Sequence, residues 1–238
     1  MPTHSKQKSS TSLPKFIQIS EFLIREIAAG RLFDGERLAT ERQMATSFGV
    51  SVGTLRKSLK KLEKMGLLES IQGSGNYIRQ TQVDGSIYAM FCLELLQGGG
   101  LPKADILDIS QLEKPTDLPD FGASNNGSRI RRLRYLNDKI IAIEEIWLDQ
   151  SVGSIDSAGL SDSLYHYYGK HLGFWISRAE DHVSIDKVPL WAPEAFTLSS
   201  GMMTGFIERY SWSPDMAPVE YSRTWFDTSQ AHYVQRLK

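Results

Sequence analysis

Two arginines at alternate positions, Arg132 and Arg134, lie in the segment RIRRLRYL between the apolar residues Ile130 and Leu136. Alternate residues of a β-strand face the same side of a sheet, so this pattern predicts two guanidinium groups on an otherwise apolar face. A guanidinium group that is removed from water needs an anion beside it. The segment therefore predicts either an internal ion pair or a binding site for a small polar or anionic molecule.

The internal partner would come from the next segment, IIAIEEIWL, if the two segments form a hairpin around residues 137–138. A three-residue loop places Glu144 on the face of Arg132, whereas a two-residue loop places Glu145 there. The choice depends on loop length because a register shift of one residue reverses which side chains share a face. A cross-strand pair between arginine and glutamate is one reading of the pattern.

A ligand pocket is the other reading, and both stay open. Its hydroxyl and carboxylate groups would come from segments further along the chain, with aromatic side chains as walls. The residues predicted for this pocket are Ser163, Tyr165 and Glu220, with Phe91 and Trp147 as the walls.

A second set of charged residues lies between Arg56 and Lys64, where five cations accompany the single acid Glu63. Residues 1–80 hold 13 Lys and Arg against 7 Asp and Glu, whereas the rest of the chain holds 14 against 21. A basic segment joined to an acidic one indicates that the first binds a polyanion such as nucleic acid. The alternative is a solvated surface with unevenly distributed charge.

The basic segment has the signals of three helices followed by a β-hairpin. Apolar residues recur at spacings of three and four in the first and third predicted helices, and a glycine-rich tip follows the third. The signals are Pro14 at the start of the first helix, a Thr40–Gln43 capping box, Ser51 as the cap of the third helix, and the tip Gly73–Gly75.

This order is typical of a winged helix-turn-helix domain, in which the amino end of the third helix enters the major groove of DNA. Thr54 and Arg56 would then reach base edges, while Arg42, Ser51 and Lys57 would contact phosphates. The glycine tip would approach the minor groove or the backbone.

The segments LATERQMATSFGVS, TLRKSL and GSGNYI resemble the DNA-binding domain of the GntR family of bacterial transcription regulators. The resemblance covers residues 14–78 and implies DNA contacts from Arg42, Ser51, Thr54 and Arg56, with wing contacts from the tip. The wing residues are Gln72, Gly73 and Gly75. Val52 departs from the family, whose members usually carry arginine there; the change removes a base contact worth about 1–3 kcal/mol and predicts an altered operator.

The remaining chain is predicted to be an α+β domain built around an antiparallel sheet. Hairpins are predicted at RIRRLRYLNDKIIAIEEIWL and GFIERYSWSPDMAPVEYSRTWF, and helices at DSLYHYYGKHLG and PEAFTLSSG. The predicted organisation is a flexible tail at 1–13, the DNA-binding domain at 14–79, a linker at 80–87 and the second domain at 88–238.

The second domain resembles the UTRA effector-binding domain of the HutC branch of GntR regulators. The segments that carry the likeness are RIRRLR, AIEEIWL, DSLYHYYG, ISRAEDHVSI and PVEYSRTWF. The resemblance implies a chorismate-lyase-like sheet with a metabolite cleft, and a homodimer on a palindromic operator. It implies that the cleft is lined by Cys92, Arg132, Arg134, Glu144, Ser163, Tyr165 and Glu220. Met90 and Cys92 stand where sugar-phosphate-binding members tend to carry serine, which favours a carboxylate or neutral polar effector.

The function predicted from these patterns is that of a cytoplasmic, sequence-specific transcription regulator, a repressor, with no membrane segment, metal, cofactor or catalytic residue. The single cysteine excludes an internal disulfide and a multi-cysteine zinc site. The alternatives are a lyase-like enzyme and an effector-independent DNA-binding protein.

Overall fold

The computed structural model describes residues 13–79, 90–156, 160, 163–214 and 217–236. The predicted linker at 80–87 and residues 1–12 of the predicted tail lie outside these ranges. Leu13, which the prediction counted in the tail, is buried. Among the described residues, none of the helices has the length and apolar character needed to cross a membrane. The chain divides into two compact units, which are described separately.

The first unit contains residues 13–101 and the chain end from Tyr233 onward. Three helices and a β-hairpin form the part of this unit that is predicted to bind DNA, and their order is the one that the sequence predicts. They are α1 (Lys15–Ala28), α2 (Glu41–Ser47), α3 (Val52–Lys64), β1 (Leu68–Ile71) and β2 (Gly75–Ile78).

The helix starts are fixed by the capping residues that the sequence predicts. Thr40 accepts a hydrogen bond from the Gln43 amide, and the Gln43 side chain in turn accepts one from the Thr40 amide. The Ser51 hydroxyl accepts from the amide of Thr54 at 3.1 Å. Between the two helices, Gly49 has a positive φ of 62°, which permits the tight turn. The apolar faces of all three helices meet in one core with β1 and β2.

The first unit also includes a segment beyond the predicted domain boundary. A short strand, β3 (Leu93–Leu95), lies near α1: Arg25 donates to the carbonyl oxygens of Phe91 at 2.8 Å and Leu93 at 2.9 Å. Glu94 pairs with Arg31 of the same unit at 3.1 Å and with Arg236, near the chain end, at 2.7 Å. Residues 90–101 therefore group by their contacts with the first unit, and the predicted start of the second domain at residue 88 stays a prediction.

The second unit contains a six-stranded antiparallel sheet in the order β4-β5-β6-β9-β8-β7. Its strands confirm the two predicted hairpins, β5–β6 and β8–β9. They are β4 (Pro102–Glu113), β5 (Asn126–Leu136), β6 (Lys139–Asp149), β7 (Arg178–Lys187), β8 (Met203–Trp212) and β9 (Pro218–Phe226). The helix α4 (Leu164–Tyr167) continues as a single π-type turn, and the last strand is β10 (Ala231–Tyr233).

One face of the sheet is covered by an apolar cluster, and the other carries the buried charged pair of Arg132 and Glu144. Leu133 of β5, Phe206 of β8 and Trp225 of β9 pack in the apolar cluster. Phe196 of the connection between β7 and β8 joins them. The short helix predicted at residues 193–201 is wrong, because this connection forms turns that place Phe196 in the core.

The β5–β6 hairpin has a register that its loop length does not predict. The loop holds two residues, 137–138, a length that by itself would place Glu145 on the face of Arg132. A register shift between Arg134 and Tyr135 leaves Ile141 as an extra residue on β6. Arg132 consequently opposes Glu144.

Candidate functional site

The amino end of α3 presents the residues predicted to read DNA. The Thr54 hydroxyl lies 2.9 Å from the Ser51 hydroxyl, so the cap and the adjacent side chain form one polar group at the helix start. Arg56 leaves 67% of its side chain exposed and pairs with Glu41 of α2 at 2.7 Å. Because this pair lies at the surface, it contributes little to stability, and a phosphate or a base can replace the carboxylate.

The other predicted DNA contacts are also accessible. Arg42 and Lys57 are exposed, as are Gln72 and Gly73 at the tip of the β1–β2 hairpin, while Gly75 is half-buried. An open groove of about 630 Å³ separates the hairpin tip from the start of α2. It is lined by residues 37–42 and 70–76.

Arg37 is an exposed cation in this groove that the sequence reasoning missed. Its guanidinium Nε would lie 3.1 Å from a Cβ atom added at Gly75, so the glycine allows arginine and wing to approach closely. The available signal was a cation three residues before the cap Thr40, in the segment GERLATER that leads into α2.

Two residues of α3 face the protein interior. Lys61 pairs at 2.7 Å with Glu21 of α1, whose side chain is fully buried, so Lys61 stabilises the contact between helices. Val52 is partly buried and packs against the core. The exposed cations on α3 are therefore Arg56 and Lys57 near its start, with Lys60 and Lys64 further along; Arg56 and Lys57 are the ones predicted to contact DNA.

In the second unit, Arg132, Arg134 and Glu144 form a buried cluster on the charged face of the sheet. Arg132 donates from Nε at 3.1 Å and from Nη2 at 2.6 Å to the same oxygen, Oε2 of Glu144. Arg134 Nε lies 3.7 Å from that oxygen. Burial raises the pKa of the Glu144 carboxyl, but the charges of Arg134 and Arg132 outweigh it and hold this pKa below its ordinary value.

The cross-strand reading of the arginine pattern is confirmed, and the ligand-pocket reading stays a prediction. The cross-strand pair between Arg132 and Glu144 exists, but it leaves Arg132 Nη1 buried with no acceptor among the described residues. A buried N–H group without an acceptor is uncommon in folded proteins. This donor is consistent with a polar or anionic ligand at the cluster.

Glu220 on β9 is a second buried carboxyl, surrounded by hydroxyl groups. It accepts hydrogen bonds from Ser211 at 2.9 Å, from Tyr165 at 3.3 Å and from Tyr168 at 2.5 Å. Burial raises the pKa of Glu220 above its ordinary value, and the hydroxyl donors and the charge of Arg132 only partly oppose it. Tyr165 and Glu220 are thus in contact, as predicted for one site.

Arg209 on β8 belongs to the same face, and the sequence reasoning did not find it. It forms a double hydrogen bond with Asp181 of β7 at 2.5 and 2.6 Å, and its charge favours the ionised forms of Glu144 and Glu220. The available signal was the alternation in IERYSW, which puts Arg209 and Ser211 on one face of the strand.

The remaining predicted cleft residues have other positions. Ser163 is buried, and its hydroxyl caps α4 by accepting from the His166 amide at 3.3 Å. Cys92 lies in the first unit, where its sulfur is 3.8 Å from the Met90 carbonyl oxygen, and so it is not part of the cluster. Trp147, predicted as a wall, lies on the opposite face of the sheet, because it is an odd number of residues from Glu144.

The predicted wall residue Phe91 also lies in the first unit, beside Arg25. The cluster in the second unit therefore consists of three arginines and three carboxyl groups, with hydroxyl groups from α4, from the π-type turn that follows it and from β8. Its members are Arg132, Arg134, Arg209, Glu144, Asp181, Glu220, Tyr165, Tyr168 and Ser211. We call this set the cleft cluster.

Comparisons with known proteins give the family of both units. Residues 17–78 match the family described as bacterial regulatory proteins, gntR family, and residues 97–232 match the UTRA domain. The chain is 54% identical over 228 residues to the HTH-type transcriptional regulator SmoD of Agrobacterium fabrum (strain C58), covering 95% of this chain and 97% of that protein.

A second relative is the mannosyl-D-glycerate transport/metabolism system repressor MngR of Escherichia coli K12, 28% identical over 93% of this chain and 95% of that protein. Among solved structures, the possible transcriptional regulator YydK of Bacillus subtilis has the same fold, with a TM-score of 0.52 and 21% identity over 94% of this chain and 99% of that one. The exposed cations at the start of α3 and the family matches over both units indicate the same class of protein. The chain therefore belongs to the gntR family of bacterial regulatory proteins, in the branch that carries a UTRA domain, and it is a DNA-binding transcription regulator.

Proposed function

We propose that the protein is a repressor that binds a palindromic operator as a homodimer in the bacterial cytoplasm. In this proposal, a small polar or anionic metabolite binds at the cleft cluster and controls operator binding. The observation that carries the effector site is the buried donor of Arg132, Nη1, which has no acceptor among the described residues. The name of the relative MngR, a repressor of a mannosyl-D-glycerate system, supports both repression and a polar metabolite.

The DNA part of the proposal rests on exposed groups at the start of α3 and at the wing. Backbone N–H groups at the helix start and nearby cations would bind phosphates, while Arg56 and Thr54 would select bases. Because the side chain of valine has no donor or acceptor, Val52 adds no hydrogen bond to a base; it packs against the core. We therefore expect an operator that differs from those of relatives with arginine at this position.

The operator is found by selecting bound sequences from a random library of DNA duplexes. Arg56→Ala should then lower the affinity for the selected duplex at least tenfold, because a bidentate base contact or a phosphate contact is lost. The matched control is Lys103→Ala, which removes a half-buried cation of the second unit that pairs with Asp138. An unchanged affinity in Arg56→Ala would show that α3 does not read the operator.

The effector part is tested with a thermal-shift screen against carboxylates, amino-acid catabolites, sugars and sugar phosphates. A compound at about 100 times its Kd adds about 2.7 kcal/mol to the free energy of unfolding. Arg132→Lys keeps a positive charge beside Glu144 but removes Nη1, so it should abolish the shift. Arg131→Lys, on the opposite face of the same strand, is the control and should retain it.

The mechanism we propose is a shift between two dimer geometries. An effector that binds one geometry more tightly raises its population, and only the other geometry matches the spacing of the two half-sites. A lyase-like enzyme is the alternative, and turnover of the bound compound would identify it. If the protein binds the selected duplex and no compound in the screen alters that binding, the result would favour an effector-independent DNA-binding protein.

A further inference from the structure

An acidic residue lies among the cations that are proposed to contact DNA. Glu41, the first residue of α2, is the only acid in the sequence between Leu38 and Leu62. It lines the groove between the hairpin tip and the start of α2, together with the exposed cations Arg37 and Arg42. A carboxylate at a surface that approaches phosphates repels them, so Glu41 lowers the affinity for DNA of any sequence. Its position among these cations therefore calls for a compensating role.

The carboxylate of Glu41 holds one particular cation. Its Oε2 accepts a hydrogen bond from Nε of Arg56 on α3 at 2.7 Å, and the two side chains are 32% and 67% exposed. The bond uses the guanidinium nitrogen nearest the main chain, and the outer amino groups Nη1 and Nη2 donate no hydrogen bond to this carboxylate. An acceptor on DNA can therefore bind the outer edge of Arg56 while Glu41 keeps Nε.

Guanine and phosphate respond differently to this arrangement. Guanine O6 and N7 are neutral acceptors that a bidentate arginine contacts in the major groove. They can bind the outer amino groups without displacing the carboxylate, which fixes the direction of the guanidinium plane. A phosphate is an anion and approaches Arg56 against the charge of Glu41, and the exchange of one exposed anionic partner for another gains little free energy.

We propose that Glu41 is a specificity-determining residue, which keeps Arg56 from nonspecific phosphates and presents its outer amino groups to a guanine edge. The inference rests on the proposed function, in which Arg56 reads the operator, and it adds the class of base and the residue that positions the arginine. Specificity is a difference between two affinities, so a residue that weakens binding to wrong sequences raises it.

Glu41→Gln tests this role because it removes the charge and keeps an amide oxygen of the same reach. Nonspecific binding is almost entirely electrostatic, so the affinity for a scrambled duplex should rise about threefold or more at about 0.1 M salt. The slope of log K against log salt should become steeper by about 0.9, the value for one additional phosphate contact. The affinity for the selected duplex should rise less or fall, so the ratio of the two affinities should fall.

Glu63→Gln is the matched control. Glu63 is an exposed acid near the carboxyl end of α3, so the substitution removes the same charge from the same helical domain. It lies seven residues beyond Arg56, about 10 Å further along the helix axis, where salt screens its effect on a phosphate at Arg56. The ratio of the two affinities should stay within about 1.5-fold of the parent value.

A double variant tests whether Glu41 acts through Arg56. In the Arg56→Ala background, Glu41→Gln should raise the affinity for the scrambled duplex no more than Glu63→Gln does, because the arginine that would gain a phosphate contact is absent. A full rise in that background would mean that Glu41 acts by its charge alone, and this result would overturn the proposal.

Selection from the random library with each variant locates the affected base. Glu41→Gln should weaken the preference at one guanine position of the half-site, and Arg56→Ala should lose the preference at the same position. Weakening at a different position, or at a base other than guanine, would overturn the assignment of Glu41 to this contact.

Fluorescence anisotropy of the full-length chain with both duplexes gives the affinities. An equal loss of affinity for both duplexes in Glu41→Gln would assign Glu41 a structural role and overturn the proposal, and so would an unchanged ratio of the two affinities. In either case the proposed function stands if Arg56→Ala still loses affinity for the selected duplex. If Arg56→Ala binds that duplex as the parent does, the role of Glu41 and the proposed reading of the operator by α3 are both overturned.

Discussion

Glu220 is a carboxyl group whose surroundings oppose its ionisation. Because burial raises its pKa, the folded state binds its proton more readily than the unfolded state, whose carboxyl has a pKa near 4.5. The free energy of unfolding contributed by this group is therefore present below pH 4.5 and is lost as the pH rises through the raised value. Glu220→Gln should remove this loss and leave the variant more stable than the parent at pH 7–8, as measured by urea unfolding.

Glu144→Gln is the contrasting change on the neighbouring strand. The folded-state pKa of Glu144 is held below 4.5, so its contribution to stability is present above pH 4.5 and is lost as the pH falls. Removing the carboxylate leaves the buried charges of Arg132 and Arg134 uncompensated. We expect a loss of about 3–5 kcal/mol at pH 7 that shrinks below pH 4.5. Effects of the same sign in both variants at pH 7 would contradict the proposed ionisation of the cluster.

Lys61 and Lys60 are adjacent lysines on α3 with different roles. Lys61→Ala removes the ammonium group that pairs with the buried Glu21, so we expect a loss of about 1–3 kcal/mol in the free energy of unfolding. Lys60→Ala changes an exposed side chain and should stay within about 0.5 kcal/mol of the parent. Thermal unfolding of the two variants makes the comparison. Equal losses would mean that the pair with Glu21 contributes nothing measurable.

At the scale of elements, local sequence signals predicted the helix starts and the hairpins, because capping residues and strand alternation act within a few residues. Thr40, Gln43 and Ser51 each cap where the sequence predicted. The partner of Arg132 could not be predicted in the same way. It depends on the extra residue at Ile141, and a bulge in a uniformly apolar strand leaves no mark in the alternation.

Gly205 tests how tightly β8 and β9 pack. A Cβ atom at this position would lie 2.4 Å from the Phe226 ring, so the ring covers the glycine and fills the space of a side chain. Gly205→Ala should force the ring from its position and cost about 1–3 kcal/mol in the free energy of unfolding. Urea unfolding measures the loss.

Gly169 supplies the control for this change. A Cβ atom at Gly169 would meet only the Phe174 carbonyl oxygen, at 3.9 Å, an ordinary contact. Gly169→Ala should therefore leave the free energy of unfolding within about 0.5 kcal/mol of the parent. A similar loss of unfolding free energy in both variants would mean that the effect at Gly205 comes from the backbone and not from contact with the Phe226 ring.

At the scale of the whole molecule, composition predicted two parts but not their boundary. The basic and acidic segments divide near residue 80, whereas the compact unit extends to Leu101 and takes in the chain end. The contacts responsible join Glu94 to Arg31 and to Arg236, which are 63 and 142 residues away in sequence. No local pattern can show these pairings, because none of the three charged residues is unusual in its own segment.

Linkage between the two proposed binding activities is the test that involves the entire chain. If an effector lowers the affinity for operator by some factor, then operator must lower the affinity for effector by the same factor, because the two orders of binding reach the same complex. Fluorescence anisotropy with the selected duplex and calorimetry with the compound from the thermal-shift screen measure the two factors, which we expect to lie between about 5 and 150. Arg134→Ala should bind the duplex normally and give a factor of one in both directions. A factor of one in both directions in the parent protein would contradict linkage between the two sites, and a normal response in Arg134→Ala would remove this arginine from the effector site.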